Sequence, residues 1–132
     1  MKHADDIVVT GIGTIASIGN TREAFWDKLI AGTSGADTIR AFDPESFGST
    51  IACEIKNFTP QELMDKRRSR RMARFSQLAV CTALSAWEDA GLDIEAENPA
   101  RIASLVSSGA GDYENIEIQH STLLNKGPLK GH

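Results

Sequence analysis

Positive charge is concentrated in one short segment of an otherwise acidic sequence. The chain has 14 basic and 18 acidic residues and a formal net charge of -4. A local cation cluster in such a chain suits docking of a negatively charged protein or a phosphate group. The alternative is a solvated helix face on which the cations pair with acids such as Glu62 and Asp65. The cluster consists of Lys66, Arg67, Arg68, Arg70, Arg71 and Arg74. Helical spacing predicts a shared face for four of these, which are Arg67, Arg70, Arg71 and Arg74.

The two cysteines are the candidate nucleophiles. A nucleophilic cysteine needs a lowered thiol pKa, which usually comes from a helix N-terminus or a neighbouring histidine. Cys81 lies in the middle of a helical pattern, and Cys53 is followed by Glu54, whose negative charge would raise the thiol pKa. We therefore expect two free structural thiols and assign no catalytic residue.

The glycines after the first apolar run suggest a dinucleotide-binding turn, but their spacing disfavours it. Gly11 and Gly13 supply the first two positions of such a motif, whereas Ala16 takes the third and the next helix begins only near Thr21. The histidines lack spaced ligand partners, so we expect no metal and no other cofactor. They are His3, His120 and His132.

The composition is typical of one soluble globular domain, with 132 residues, 41% of them hydrophobic and 24% charged. The mildly acidic balance argues against a whole-surface affinity for nucleic acid. No apolar run approaches the ~20 residues that span a bilayer, and the N-terminus lacks the apolar segment of a signal peptide. We therefore expect a cytoplasmic protein without a membrane span.

Apolar periodicity predicts strands that alternate with helices. The β-branched runs at 7–10 and 102–106 predict buried strands, each followed by a glycine turn, and 51–55 predicts a third short strand. A long surface connection is expected over 33–50.

Capping residues and turn glycines set the predicted helix boundaries. The predicted helices are one from an Asn20 cap to Ile30 with a stop at Gly32, a short one that begins at Thr59-Pro60-Gln61-Glu62 with a capping box, a well-buried one from Phe75 to Trp87 that ends at Gly91, and a last one with Ile116 and Leu123-Leu124 before Gly127-Pro128.

Several short motifs, in this order and spacing, resemble the elongating β-ketoacyl-acyl carrier protein synthases, close to the type II branch, over essentially the whole chain. The motifs are Val8-Val9-Thr10-Gly11-Ile12-Gly13, Phe25-Trp26-Asp27-Lys28-Leu29, Phe42-Asp43, Ile51-Ala52-Cys53-Glu54-Ile55, Arg70-Arg71-Met72, Glu88-Asp89-Ala90-Gly91-Leu92, Ser107-Ser108-Gly109-Ala110-Gly111, Gln119-His120 and Lys126-Gly127-Pro128. Cys53 departs from the glycine that is common after Ile-Ala in this family.

The resemblance implies an α/β, thiolase-like fold, a duplicated layered unit of which this chain supplies only part of the first half. Family members condense an acyl-enzyme thioester with malonyl-acyl carrier protein, using one cysteine and two histidines. None of these catalytic positions matches a residue here. The resemblance therefore implies an N-terminal portion, over 1–132, that stops before the nucleophile and is inactive alone.

Two roles are carried over from the resemblance. The family's basic positions for docking acyl carrier protein match Arg67, Arg70 and Arg71, and its acyl-pocket residue matches Ile116. The expected partner is an acidic, phosphopantetheinylated acyl carrier protein, and the full-length parent is expected to be a homodimer.

Two other function classes stay open. In one, the chain is a non-catalytic module that binds acyl carrier protein or another partner while a different polypeptide supplies the chemistry. In the other, it is a nucleotide-dependent Rossmann enzyme, which only the first strand and its glycines suggest. A part of a larger sheet is also expected to expose apolar helix faces and an unpaired strand edge.

Overall fold

The computed structural model describes residues 6–128, which form four α-helices, two 3-10 helices and a two-stranded sheet. In chain order the elements are α1 (Arg22–Ile30), β1 (Asp37–Thr38), β2 (Ile51–Ala52), the 3-10 helix η1 (Pro60–Glu62), α2 (Lys66–Ser69), α3 (Arg74–Asp89), the 3-10 helix η2 (Pro99–Arg101) and α4 (Tyr113–Lys126).

The N-terminal segment, residues 6–15, packs its backbone against the C-terminal half of α3 at Gly11 and Gly13. A Cβ built on Gly11 would lie 2.7 Å from the backbone nitrogen of Ala90, and one built on Gly13 would lie 2.8 Å from that of Ala86. Only glycine allows two backbones to approach this closely. The two glycines therefore have a packing role, which fits the expectation that they do not form a dinucleotide turn.

α1 begins one residue later than the sequence predicts. Thr21, and not Asn20, is the N-cap, because its Oγ1 accepts a hydrogen bond from the backbone N–H of Ala24 at 3.2 Å. Asn20 instead donates from Nδ2 to the carbonyl oxygen of Lys56 at 2.7 Å. The predicted stop is confirmed, since Gly32 has a positive φ of 67°.

The segment predicted as a long connection contains one strand of a hairpin. β1 pairs with β2 in antiparallel register, with Asp37 opposite Ala52 and Thr38 opposite Ile51. The predicted strand over 51–55 is thus confirmed only at its first two residues. η1 begins at the predicted position, but the predicted capping box is wrong because the Thr59 side chain makes no capping bond.

The two predicted buried strands at 7–10 and 102–106 do not form in the described part of the chain. A strand needs a hydrogen-bonded neighbour, and neither run has one within residues 6–128. Their side chains are consequently exposed: Ile7 is 102% and Leu105 98% accessible. The expected exposure of apolar faces is confirmed.

Among the described residues, 6–128, the fully buried ones lie where η1, α2 and α3 meet. Cys81 and Ser69 are fully buried, so the prediction that α3 as a whole is well buried is wrong. The accessible surface is 10978 Å². A compact monomer of 14.3 kDa would expose only about 6,800 Å². Much of the apolar surface of the helices therefore lacks a covering layer.

The contact between Gly13 and α3 predicts a position-specific loss of stability. Gly13→Ala places a methyl group against the α3 backbone, and we expect it to lower the free energy of unfolding by roughly 1–3 kcal/mol. Gly48→Ala is the matched control, because nothing lies within 4 Å of a Cβ built there, and we expect a change below about 1 kcal/mol. Urea unfolding followed by circular dichroism measures both, and equal losses would contradict the contact.

Candidate functional site

The cation cluster lies on a short helix and the turn after it, residues 66–72, here called the arginine turn. Asp65 caps α2 by accepting a hydrogen bond from the backbone N–H of Arg68 at 2.9 Å. The helix ends at Ser69, and α3 begins only at Arg74. The prediction that four arginines share one helix face is therefore wrong, because a break separates the two helices.

The arginine turn brings the predicted docking residues together around Arg71. Arg67 and Arg71 line one concavity of 410 Å³. Arg70 and Arg71 line a second concavity of 600 Å³, which extends to the first turn of α4. Arg71 therefore belongs to both concavities and joins the other two arginines. Arg68, which the sequence placed in the cation cluster without a docking role, also lines the first concavity.

Acidic residues lie near the arginine turn: Asp65 lines the first concavity, and Asp112 and Glu114 line the second. None of the salt bridges within residues 6–128 involves a cation of the turn. The Asp65 carboxylate is instead used as a helix cap. The alternative in which the arginines pair with Glu62 or Asp65 is therefore not what the structure shows, and the exposed guanidinium groups face solvent.

Arg74 differs from the other arginines of the cluster because it binds the body of the chain. Its Nη2 donates to the carbonyl oxygen of Ile55 at 3.3 Å, and its guanidinium carbon lies 5.5 Å from the centre of the Phe58 ring. A cation over an aromatic face is an attractive contact. Arg74 thus links the start of α3 to the segment between β2 and η1.

A polar network beneath the arginine turn was also missed by sequence reasoning. Gln77 donates from Nε2 to the carbonyl oxygens of Ser69 at 2.8 Å and Met72 at 3.1 Å. The Ser69 hydroxyl donates to the Lys66 carbonyl oxygen at 3.0 Å and accepts from Gln61 Nε2 at 3.3 Å. The available signal was a glutamine in the first turn of an otherwise apolar helix pattern.

Ile116 lies on α4, which the sequence predicted correctly. Asp112 caps this helix by accepting from the backbone N–H of Asn115 at 3.2 Å, and Gly127 follows it with a positive φ of 80°. Ile116 is 57% accessible and lies outside the lining of both arginine concavities, whereas Ile118 lines the second. The structure therefore does not bring Ile116 into the arginine site.

Neither cysteine has the setting of an activated nucleophile. Cys81 is buried in α3, with Sγ 3.9 Å from the carbonyl oxygen of Pro60. Burial raises the pKa of the Cys81 thiol. Cys53 is exposed just after β2, and both thiols are free, as predicted.

Residues 6–128 contain neither a cluster of metal-ligating side chains nor a membrane-spanning helix. No group of three or more histidine, cysteine, aspartate or glutamate residues there is placed to hold a metal ion. No helix in that range is long and apolar enough to cross a membrane. His3 and His132 lie outside the described residues.

The sequence of the chain is similar to known condensing enzymes. A family model described as the N-terminal domain of β-ketoacyl synthase matches residues 4–129. A 3-oxoacyl-[acyl-carrier-protein] synthase 2 of Vibrio cholerae is 40% identical over 124 residues, which cover 94% of this chain and 30% of that protein. A protein of the same description from Staphylococcus aureus is 39% identical over 130 residues, which cover 98% and 31%. The chain thus spans about 30% of the length of these relatives.

The fold is also similar to a solved structure. The ishigamide ketosynthase/chain length factor has a TM-score of 0.73 and 34% sequence identity to this chain, over 91% of this chain and 30% of that one. This similarity confirms the predicted fold class, which is α/β and thiolase-like.

The different burial of the two cysteines predicts selective alkylation. We expect iodoacetamide to modify Cys53 in the folded chain and to spare Cys81, because the thiolate reacts and burial disfavours the Cys81 thiolate. The pKa of the Cys81 thiol is higher in the folded chain than in the unfolded chain. The neutral thiol therefore adds to the free energy of unfolding below the unfolded pKa, and this contribution is lost as the pH rises through the folded pKa. Peptide mass spectrometry between pH 7 and 9 measures labelling; equal rates would contradict the burial.

Proposed function

The chain belongs to the β-ketoacyl synthase family, and we propose that it is the N-terminal part of a 3-oxoacyl-[acyl-carrier-protein] synthase whose arginine turn docks acyl carrier protein. The whole protein would condense an acyl thioester with malonyl-acyl carrier protein. The observation that carries the docking proposal is the adjacency of Arg67, Arg70 and Arg71 on an exposed turn, without salt bridges within residues 6–128.

The docking role follows from elementary electrostatics. Arginines without an internal partner have no ion pair to break before they meet an acidic protein, so their attraction is available for encounter. A guanidinium group also binds a phosphate oxygen pair through two parallel hydrogen bonds, which suits the phosphopantetheine arm. The rest of the chain carries net negative charge, so the attraction would be local to this turn.

Chemistry is proposed for the whole protein and for no residue of this chain. Cys81 is unsuited to carry an acyl group, because it is buried in α3 and its pKa is raised. A homodimer and a cytoplasmic location belong to the same proposal, by the resemblance to the family.

A second candidate function is a carrier-binding module without catalysis. It is favoured by the combination of available arginines with two cysteines that lack activation. The two candidates differ in one observable. A synthase gains one acyl group in intact mass after incubation with an acyl thioester, whereas a binding module stays unmodified and still binds acyl carrier protein.

Removal of the arginines tests the docking surface. We expect the combined variant Arg67→Ala, Arg70→Ala, Arg71→Ala to weaken binding of acyl carrier protein at least ~10-fold at low salt and to flatten its salt dependence. Isothermal titration of the natural full-length protein at two salt concentrations measures this.

The matched control removes the same charge elsewhere, at Lys28, Arg101 and Lys126, which lie outside the cluster. It should retain the affinity to within about twofold, since encounter depends on local charge. An arginine variant that binds as tightly as this control, with the same salt dependence, would refute the docking role.

A larger side chain on α4 tests the acyl-pocket assignment. We expect Ile116→Phe to shift condensation by the natural full-length protein toward shorter acyl thioesters, with a loss of roughly 10-fold or more for the longest substrate. Leu123→Phe is the control, because Leu123 lies on the same helix outside both arginine concavities and is similarly accessible, 48% against 57% for Ile116. A profile of kcat/KM against chain length measures both, and the assignment fails if the two variants change alike.

A further inference from the structure

We propose that Gln77 is a positioning residue for carrier docking, which fixes the backbone on both sides of the Arg70-Arg71 pair. Its side-chain nitrogen donates to the carbonyl oxygen of Ser69, the residue before the pair, at 2.8 Å. The same nitrogen donates to the carbonyl oxygen of Met72, the residue after the pair, at 3.1 Å. This inference rests on the proposed docking function of the arginine turn.

Gln77 can fix the position of the arginine turn because its own position is fixed by α3. Its backbone N–H donates to the carbonyl oxygen of Ala73 at 2.9 Å, in the first turn of α3. One turn further along the helix, Cys81 is fully buried against Pro60 of η1. The amide of Gln77 is therefore carried by a packed helix and extends toward the break between α2 and α3.

The part of the arginine turn after α2, residues 70–72, lacks a regular helix to fix it. The backbone N–H of Arg71 bonds to the carbonyl oxygen of Arg68, and that of Met72 to Ser69, both at 3.1 Å, which is the tighter pattern of a turn. The Ser69 carbonyl thus accepts from Gln77 and from the Met72 backbone. Met72 is half-buried, and its carbonyl oxygen accepts a hydrogen bond from the Gln77 side chain. Without the amide of Gln77, this carbonyl oxygen loses that donor, which destabilises the turn.

Ser69 connects the arginine turn to η1 by hydrogen bonds of its own. It is fully buried, its hydroxyl donates to the Lys66 carbonyl oxygen, and it accepts from Gln61 of η1. A buried polar residue whose bonds are all satisfied specifies one backbone arrangement. Gln61 and Gln77 therefore hold the turn from two different elements, while the arginine side chains extend to solvent.

The association and dissociation rates of acyl carrier protein separate the role of Gln77 from that of the arginines. Removing arginines reduces the long-range attraction and so slows association. Removing the amide of Gln77 leaves every charge in place but releases the orientation of Arg70 and Arg71, so the bound complex is less complementary and dissociates faster. A purely structural residue far from the interface changes neither rate in a protein that remains folded.

The test compares variants of the natural full-length protein that bind phosphopantetheinylated acyl carrier protein in stopped-flow experiments. Gln77→Met removes the donor at similar length and without a change of charge; we expect about tenfold faster dissociation and association within about twofold of wild type. Gln77→Lys keeps a donor that reaches the same carbonyls, and we expect it to restore slow dissociation. Asn125→Leu is the control for loss of an amide on another helix, outside the lining of both arginine concavities, and it should bind as wild type.

Order in the turn is measured independently of binding. We expect hydrogen exchange at the amides of Arg70, Arg71 and Met72 to become at least ~10-fold faster in Gln77→Met and to stay unchanged in Asn125→Leu. Thermal unfolding curves identify a temperature at which all variants are folded. The stopped-flow and hydrogen-exchange measurements are both made at that temperature. Gln77→Ala, which cannot overpack the site, replaces Gln77→Met if the latter does not fold.

The outcomes separate this inference from the function on which it rests. If the wild-type protein binds no acyl carrier protein, or the Arg70→Ala, Arg71→Ala variant binds as wild type, the docking function fails and the inference fails with it. If the arginine variant associates more slowly but Gln77→Met dissociates at the wild-type rate, only the positioning role is overturned. Faster dissociation in Gln77→Met, rescue by Gln77→Lys and faster exchange in the turn together support it.

Discussion

The close approach of the N-terminal segment to α3 is the constraint on which the rest of the arrangement depends. Gly11 and Gly13 let the segment cross the helix backbone to backbone. Ile12, between them, donates its N–H to the Asp89 carboxylate at 2.9 Å, and the same carboxylate pairs with Arg22 of α1. One carboxylate at the end of α3 thus connects three parts of the chain that are distant in sequence.

The opposite end of α3 positions the candidate site. There Gln77 binds the arginine turn and Cys81 packs beneath Pro60, so the turn is fixed relative to the helix that also carries the N-terminal segment. Adjacent cations repel one another, and in water a short turn would relieve that repulsion by moving. Satisfied hydrogen bonds in a buried position oppose such movement, because breaking them leaves polar groups without partners. A cation cluster without salt bridges within residues 6–128 can therefore keep a defined shape in the arginine turn.

Sequence reasoning succeeded where a local signal is sufficient. The extents of α3 and α4 follow from periodic apolar residues, and the turns after the helices follow from glycines that adopt positive φ, as at Gly91 and Gly127. Arg71 lines one concavity with Arg67 and another with Arg70, whereas the docking role of the three arginines stays a prediction.

It failed where the outcome depends on a distant partner. The runs at 7–10 and 102–106 have strand composition, but hydrogen bonding of a strand is a property of a pair, and no pairing occurs within residues 6–128. Asn20 was assigned as a cap from its neighbours, whereas its amide is bound by Lys56, 36 residues away. The break after Ser69, where the Gln77 side chain binds the Ser69 carbonyl oxygen from α3, is a contact between two helices that a helical wheel does not include.

The unpaired runs and the glycine contact together explain how the chain can have the fold of a condensing enzyme with so little burial. Gly11 and Gly13, directly after the first run, pack against α3, and no sheet hydrogen bonds within residues 6–128 hold the run itself. The chain nevertheless superposes on the ketosynthase/chain length factor with a TM-score of 0.73. Side chains such as Val8 and Val9 remain 69% and 82% accessible. Contiguous apolar surface of this extent is typical of faces that pack against further polypeptide. In this chain, therefore, close packing on α3 specifies the fold, whereas stability depends on what covers the exposed runs.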